Sequence, residues 1–455
     1  MCLPGCGAID TTLRVSLSKK DRLILFGRYP VPGRTKTRLI PFLGSLGAAD
    51  LPRLLTERTF RTARSMAGRW RMALEINFEG GTVAEMSRWL GSGAVYSPQS
   101  RGDLGQRMET AFRRAFKEGS SRVVLFGTDI PGLSPSILEQ AMERLEVRDL
   151  VLGPSTDGGY WLVGLKKDAD LFAEMPWGSR GVLAHTLTKA EGLGLSTALL
   201  DPLTDIDTPE EVKELLPDWG FTRPYLSVVI PALDEETSIE ETVRKALSED
   251  VEVIVVDGGS RDKTREAAVR AGARLIQSPK GRGVQQNHGA EAARGRVLLF
   301  LHADTLLPEG YVECIFEALL SRNVILGAFR FRTDLQEPLA RAIEALVNFR
   351  SRRLRLPYGD QGLFIRKEVF QGTEGFRDVP IAEDLFFVKQ LRRQGRLGFT
   401  KACVTTSGRR WRRMGLLRTT WINQLILAGL AFRISPHALA SMYHRKTPCV
   451  SRITV

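Results

Sequence analysis

Short apolar runs and helix-length amphipathic stretches alternate along this chain, and they do so twice over. That alternation is the pattern of strands joined by crossover helices, so it predicts α/β layers with mostly parallel sheets. The first series has apolar runs at Leu23–Phe26, Val123–Phe126, Leu150–Leu152 and Trp161–Val163. The second has them at Leu226–Ile230, Val251–Val256, Val297–Leu301 and Ala328–Phe331. Between the two, Pro217, Gly220 and Pro224 follow a helical run and interrupt it, because proline and glycine end helices and open turns. The expected organisation is an unstructured N-terminal extension over 1–20, a first α/β domain over 21–217, a linker over 218–224 and a second α/β domain over 225–455.

With 455 residues, 43% of them hydrophobic and 26% charged, the chain has material for two cores and is neither a disordered tail nor a low-complexity array. Five cysteines without a CxxC pair exclude a disulfide framework and a four-thiolate zinc site, which fits a reducing cytoplasm. The first twenty residues lack the basic start and apolar run of a secretory signal. Thr419–Phe432 falls short of the ~20 apolar residues a spanning helix needs. The net charge of +13 is concentrated at the C-terminal end, where residues 341–455 hold 22 basic and 7 acidic side chains. Such a surface attracts nucleic acid, an anionic membrane leaflet or phosphate-rich substrates. No zinc-ligand pattern or aromatic RNA-binding motif supports nucleic acid, so none is expected. Arg350, Arg352, Arg353 and Arg355 form one cluster, and Arg409, Arg410, Arg412, Arg413 and Arg418 another before Thr419–Phe432. That segment reads either as an interfacial helix or as core, and the first reading places the protein peripherally on the inner face of the membrane.

One stretch recurs in both halves. Val123 to Leu133 and Val297 to Pro308 each read as a buried strand that ends near an aspartate, Asp129 or Asp304, followed by a turn proline. Ligands of open parallel sheets bind at the carboxyl ends of strands, where an aspartate is placed to hold a metal against a phosphate.

Four motifs follow one another in the second half. Val228–Pro231 runs into the acidic turn Asp234-Glu235-Glu236, and Asp257-Gly258-Gly259-Ser260 leaves the next strand. Gly281-Arg282-Gly283 with Gln286 and Asn287 makes a basic loop, and His302-Ala303-Asp304 supplies a candidate metal ligand. In this order they resemble the family 2 glycosyltransferases of GT-A fold, in particular the arsenosugar-biosynthesis branch, over nearly all of 225–445. The resemblance implies a donor site with Pro231, Glu235, Gly258 and Ser260, in which Asp257 meets the nucleoside, Arg282 and Asn287 lie at the phosphates, and Asp304 holds Mg²⁺ or Mn²⁺. It puts Tyr358-Gly359-Asp360-Gln361 and Glu383-Asp384 on the acceptor side, with Asp384 the general base and Glu383 beside it. An inverting transfer needs a carboxylate to take the acceptor's proton while the metal stabilises the departing diphosphate. Arg409 and Arg410 would add cations there, and Trp411 would cover a sugar or base face. Asp234 stands where many relatives have Asn. His302 takes the first place of the usual acidic pair, which leaves one carboxylate and makes the imidazole a candidate metal ligand.

In the first half, Gly33, Arg34, Lys36 and Arg38 follow the first strand as a flexible cationic turn, suited to cradling phosphates without the Walker spacing. Gly102-Asp103, Asp129, Asp157-Gly158 and Asp205-Ile206-Asp207-Thr208-Pro209 follow. The series is similar to a companion arsenosugar-biosynthesis transferase family, to the guanylyltransferase that activates 2-phospholactate and to molybdenum-cofactor nucleotidyltransferases. It implies a nucleoside triphosphate on Arg34, Lys36 and Arg38, substrate contacts from Asp157 and Gly158, and Mg²⁺ on Asp129 with Asp205 or Asp207. The expected protein is therefore bifunctional, with two GT-A-like domains in tandem. The second transfers a sugar from a nucleotide sugar to an acceptor the residues do not name. The first either activates a sugar or precursor or is a second transferase. The opposing readings are a membrane-associated scaffold with one inactive domain and a nucleic-acid-binding protein.

Overall fold

A computed structural model describes residues 21–446, so the expected extension over 1–20 lies outside the described residues. Two compact units are present, one of residues up to 29 with 52–206, the other of 30–51 with 207 onwards. Both are α/β, as the alternation predicts.

In the first unit seven strands, β1 (Asp21–Arg28), β2 (Ala73–Glu79), β3 (Val95–Pro98), β4 (Arg122–Gly127), β5 (Leu150–Pro154), β6 (Tyr160–Leu165) and β7 (Thr197–Leu199), form one sheet. Its order is β3-β2-β1-β4-β6-β5-β7, and only β6 runs against its neighbours. Ile24, Leu125, Leu152 and Val163 of the sheet pack with Met108 and Phe112 of the helix Leu104–Lys117.

The second unit has β8 (Leu226–Ala232), β9 (Val251–Asp257), β10 (Arg274–Gln277), β11 (Val297–Phe300), β12 (Thr305–Leu306), β13 (Val324–Thr333), β14 (Leu363–Arg366) and β15 (Arg396–Thr406). Their order is β10-β9-β8-β11-β14-β13-β15-β12, with β14 antiparallel to both of its neighbours. Most strand pairs in both sheets are parallel, as expected; the sequence does not mark the reversed strands, because an apolar run specifies burial and not direction. The two sheets share the plan third-second-first-fourth strand, followed by one reversed strand. In such an order the crossovers from the first and fourth strands leave in opposite senses, which opens a crevice at their carboxyl ends. Asp129 and Asp304 each lie just beyond the fourth strand of their sheet.

Residues 30–51 contribute to the second unit's core. Leu46 and Ala49 are buried among Leu226, Val228 and Val253. Asp250, itself buried, accepts a hydrogen bond from Ser45 N at 2.8 Å, and Asp50 lies 3.4 Å from the Arg296 guanidinium. Gly44, at φ +74°, kinks the helix Ile40–Arg69 where a Cβ would meet the Asp250 carboxylate at 2.0 Å, so only glycine fits. On the other face, Phe376 stacks on Phe387 at 4.2 Å and meets Phe300 edge-on at 4.7 Å. Each such ring contributes about 1.5–3 kcal/mol by burial, and together they fasten the helix Glu383–Leu391 to β11.

Candidate active site of the second unit

The loops leaving β8 and β9 are tied to each other by backbone-to-side-chain hydrogen bonds. Glu235 N donates to Thr264 Oγ1 at 2.7 Å, Asp234 N to Ser260 Oγ at 3.0 Å, and Arg261 N to Asp234 Oδ1 at 2.8 Å. Asp234 sits at φ +54°, a left-handed conformation that Asn and Asp tolerate best among non-glycine residues. This gives a physical reason for either residue at that position. Asp257 is 1% exposed and accepts from Gly259 N at 3.1 Å, Ser260 N at 3.2 Å and the Ser260 hydroxyl. A buried carboxylate must be satisfied, and its lone pairs are taken up by the Gly258–Ser260 turn. Pro231 lies within β8, paired with Val256.

Gln285 is a residue that spacing does not mark. Its Nε2 donates to Ala232 O at 2.8 Å and Val256 O at 2.7 Å, clamping the ends of β8 and β9 where the loops begin. Its position on the same helix as Arg282, three residues on, is the one available signal. Asn287, expected at the phosphates, exchanges hydrogen bonds with the backbone of Phe376 at 2.8 and 2.9 Å, which engages both ends of its amide. Gln361 is likewise engaged, donating to Phe329 O at 3.0 Å and accepting from Ser351 Oγ at 2.6 Å.

Charge converges at the β8 and β11 ends. Arg409 donates to Glu235 at 2.5 Å and to Asp304 Oδ2 at 3.3 Å, so one guanidinium bridges two carboxylates from two strand ends. Arg410 is exposed, and Trp411 lies 6.0 Å from Phe331 ring to ring. Arg282, at the start of the helix Arg282–Ala292, donates to Glu383 at 3.2 Å. Burial pushes the Glu383 carboxyl up, opposed by that guanidinium.

Asp384 accepts from Gly359 N at 2.6 Å through Oδ2 and from Leu385 N at 2.7 Å through Oδ1. A Cβ on Gly359 would lie 2.7 Å from His302 Nε2 and 3.3 Å from Asp384 Oδ2. The glycine thus lets the turn press against the imidazole and the carboxylate together. Burial, aided by the charge of Arg282, pushes His302 down to about 3, so the ring is neutral at ordinary pH. Burial pushes Asp360 up to about 6. His302 Nε2 and Asp360 Oδ1 are buried without a hydrogen-bond partner.

Among the described residues, no group of three or more His, Cys, Asp or Glu side chains is arranged to hold a metal. Asp304 and the neutral imidazole of His302 would form at most a partial ligand set, so an ion there would have to take further oxygens from a diphosphate.

In the first unit, Asp129 O accepts from Ile206 N at 3.2 Å, and Asp205 accepts from Ser155 Oγ at 3.0 Å, so Asp129 and Asp205 come together at the ends of β4 and β5. Asp157 accepts from Gly159 N at 2.9 Å, around Gly158. Within the second unit, Lys36 pairs with Asp207 at 2.7 Å, while Arg38 approaches it at 3.8 Å. Gly33 and Arg34 lie in the turn before them, with Arg34 N donating to Val31 O at 3.1 Å. Lys36 and Asp207, expected at a triphosphate and at Mg²⁺, are therefore partners of each other. Thr208 caps the helix Pro209–Leu215 with Glu211 closing the capping box, and Asp103 caps Leu104–Lys117 in the same way. Part of each motif is thus a helix start.

Residues 227–377 match the family described as glycosyl transferase family 2. The second unit carries a family 2 glycosyltransferase domain. Residues 62–179 match the family described as "Uncharacterized protein conserved in bacteria (DUF2064)". The chain is 30% identical over 126 residues to an undecaprenyl-phosphate 4-deoxy-4-formamido-L-arabinose transferase of Pseudomonas paraeruginosa, covering 24% of this chain and 37% of that protein. It is 35% identical over 97 residues to a glucosyl-3-phosphoglycerate synthase of Mycolicibacterium paratuberculosis, covering 18% of this chain and 29% of that protein. The chain thus spans little more than a third of the curated relatives it matches. Among solved structures, a putative nucleotide-diphospho-sugar transferase from Desulfovibrio desulfuricans G20 is 33% identical, with 42% of this chain and 83% of that chain covered and a TM-score of 0.39. Glucosyl-3-phosphoglycerate synthase from Mycobacterium tuberculosis, solved with Mn²⁺, UDP-glucose and phosphoglyceric acid, is 22% identical, with 40% and 70% covered and a TM-score of 0.32. The family 2 match spans Asp257, Arg282, His302, Asp304 and Asp360 and stops short of Asp384 and Arg409.

Proposed function

We propose that the family 2 domain transfers a sugar from a nucleotide-sugar donor to an acceptor hydroxyl, with Asp384 as general base. The observation that carries this reading is the Arg409 bridge between Glu235 and Asp304 at the crevice, together with the Gly359 turn that holds Asp384 beside His302. In it, Asp304 and His302 hold Mg²⁺ or Mn²⁺, which would neutralise the leaving diphosphate. Arg282 and Arg409 are the cations that exchange their carboxylate partners for phosphate oxygens. Asp360 and the Glu383-Asp384 pair line the acceptor side. For the first unit the reading is nucleotide binding, with Asp129 and Asp205 as metal-side carboxylates, in support of an activating nucleotidyl transfer or a second glycosyl transfer. The arsenosugar branch remains part of this reading, and it rests on the motif order.

The relatives' acceptors, by name, are undecaprenyl phosphate and phosphoglycerate. The basic C-terminal region supports an anionic membrane surface as a further partner of this chain. Among the described residues no helix is long and apolar enough to cross a membrane. Incubation of the chain with a panel of nucleotide sugars and nucleoside triphosphates, with and without Mn²⁺, tests the reading. Metal-dependent release of nucleoside diphosphate is expected from the family 2 domain. No release from any nucleotide sugar would overturn it, and pyrophosphate release from a triphosphate would assign the first unit.

A further inference from the structure

The helix Pro338–Arg353 carries its polarity inside out. Toward the sheet it turns Ala340, Glu344 and Ser351, all buried, while Asn348 exchanges hydrogen bonds with the Phe331 backbone at 2.8 and 3.0 Å and Glu344 accepts from Thr333 N at 2.7 Å. Toward solvent it turns Leu339, Leu346 and Phe349, which are 41%, 57% and 60% exposed. Spacings of seven and three residues put these three on one stripe, with Ala342 between them and Arg353 a turn beyond. A surface helix ordinarily faces its apolar stripe inward. One exposed leucine needs no explanation, whereas a row does.

Two observations say what the row meets. Arg352 and Arg353 are exposed at the same end of the helix, in a region with 22 basic and 7 acidic side chains. That same end abuts the acceptor-side turn, because the Arg350 guanidinium lies 3.6 Å over the Tyr358 ring and Ser351 donates to Gln361.

We propose that this helix docks the second unit on an anionic lipid surface, with Leu339, Leu346 and Phe349 at the acyl boundary and the arginines among the headgroups. The proposal rests on the glycosyl-transfer reading only in that the surface would then present the acceptor; docking itself is measured without turnover. The test is flotation of the full chain with phosphatidylcholine vesicles and with equimolar phosphatidylcholine and phosphatidylglycerol. The chain should float with the anionic vesicles, less so as salt rises, and stay behind with the neutral ones. Leu346→Glu with Phe349→Glu should lower the bound fraction about tenfold or more, and Arg352→Ser with Arg353→Ser about fivefold per arginine. Both variants should retain the wild-type circular dichroism spectrum and the release of nucleoside diphosphate in solution. Absence of flotation with anionic vesicles at low salt would overturn the proposal, as would equal binding to neutral vesicles. So would undiminished binding of the Leu346→Glu, Phe349→Glu variant, or a dimer in sedimentation that this variant dissociates while vesicles capture nothing. Flotation without any donor turnover would instead sink the transfer reading and leave the docking surface standing.

Discussion

Asp384→Asn separates chemistry from binding, and the structure says what else it must disturb. Both carboxylate oxygens accept a backbone N–H, from Gly359 at 2.6 Å and from Leu385 at 2.7 Å. An asparagine offers one oxygen and one NH₂, so one of the two N–H groups would face a donor. Leaving a buried donor unsatisfied costs about 1–3 kcal/mol, and that loss should appear in urea unfolding. Removal of a general base should lower turnover by about 10²–10⁴-fold, or roughly 3–5 kcal/mol of barrier. Donor affinity should hold, because the Arg409 bridge between Glu235 and Asp304 does not involve Asp384. The assay is the rate of nucleoside diphosphate release under conditions where the variant is fully folded, with donor affinity from calorimetry. A fall in donor affinity that matches the fall in turnover would make Asp384 a binding residue, and an unchanged rate would remove it from the chemistry.

Gly359→Ala should cost about 1–3 kcal/mol of stability by overpacking, since its Cβ would press on His302 and Asp384; wild-type stability and rate together would refute that. Asp360 prefers its protonated form in the native state, so it stabilises the fold below its unfolded value near 3.8 and loses that contribution as pH rises through about 6. Asp360→Asn should therefore be more stable than wild type by about 1–3 kcal/mol at pH 8 and nearly equal to it at pH 4, as read by thermal unfolding; a difference independent of pH would be contrary. Asp304→Ala should abolish Mn²⁺-dependent binding of nucleoside diphosphate in calorimetry while leaving the fold intact, and unchanged binding would place the metal elsewhere. A fragment of residues 225–455 lacks Leu46 and Ala49 of its core and the Ser45 partner of Asp250. It should unfold at lower urea than a version that retains 30–51, and equal midpoints would show that segment to be dispensable.

The apolar runs of the sequence predict eight of the strands, because an apolar run that ends at a turn specifies a buried strand from its own composition. The motif order likewise carries the family 2 domain and the placing of Asp129 and Asp304 beyond the end of a buried strand; that each strand is the fourth of its sheet is known only from the structure. β2 escapes such reading because Glu75 and Asn77, both buried, interrupt it; Glu75 is satisfied by Arg22 and Arg114, which are distant in sequence. The direction of β6 and β14, the attachment of residues 30–51 to the second unit, the Lys36–Asp207 pair and the Gln285 clamp all depend on partners far along the chain. So does the apolar stripe of Pro338–Arg353, since leucines at helical spacing look the same whether they face a core or face water. Local pattern specifies which residues want burial or a hydrogen-bond partner; only the folded chain decides which distant group provides it, because that choice is made by packing across many residues at once.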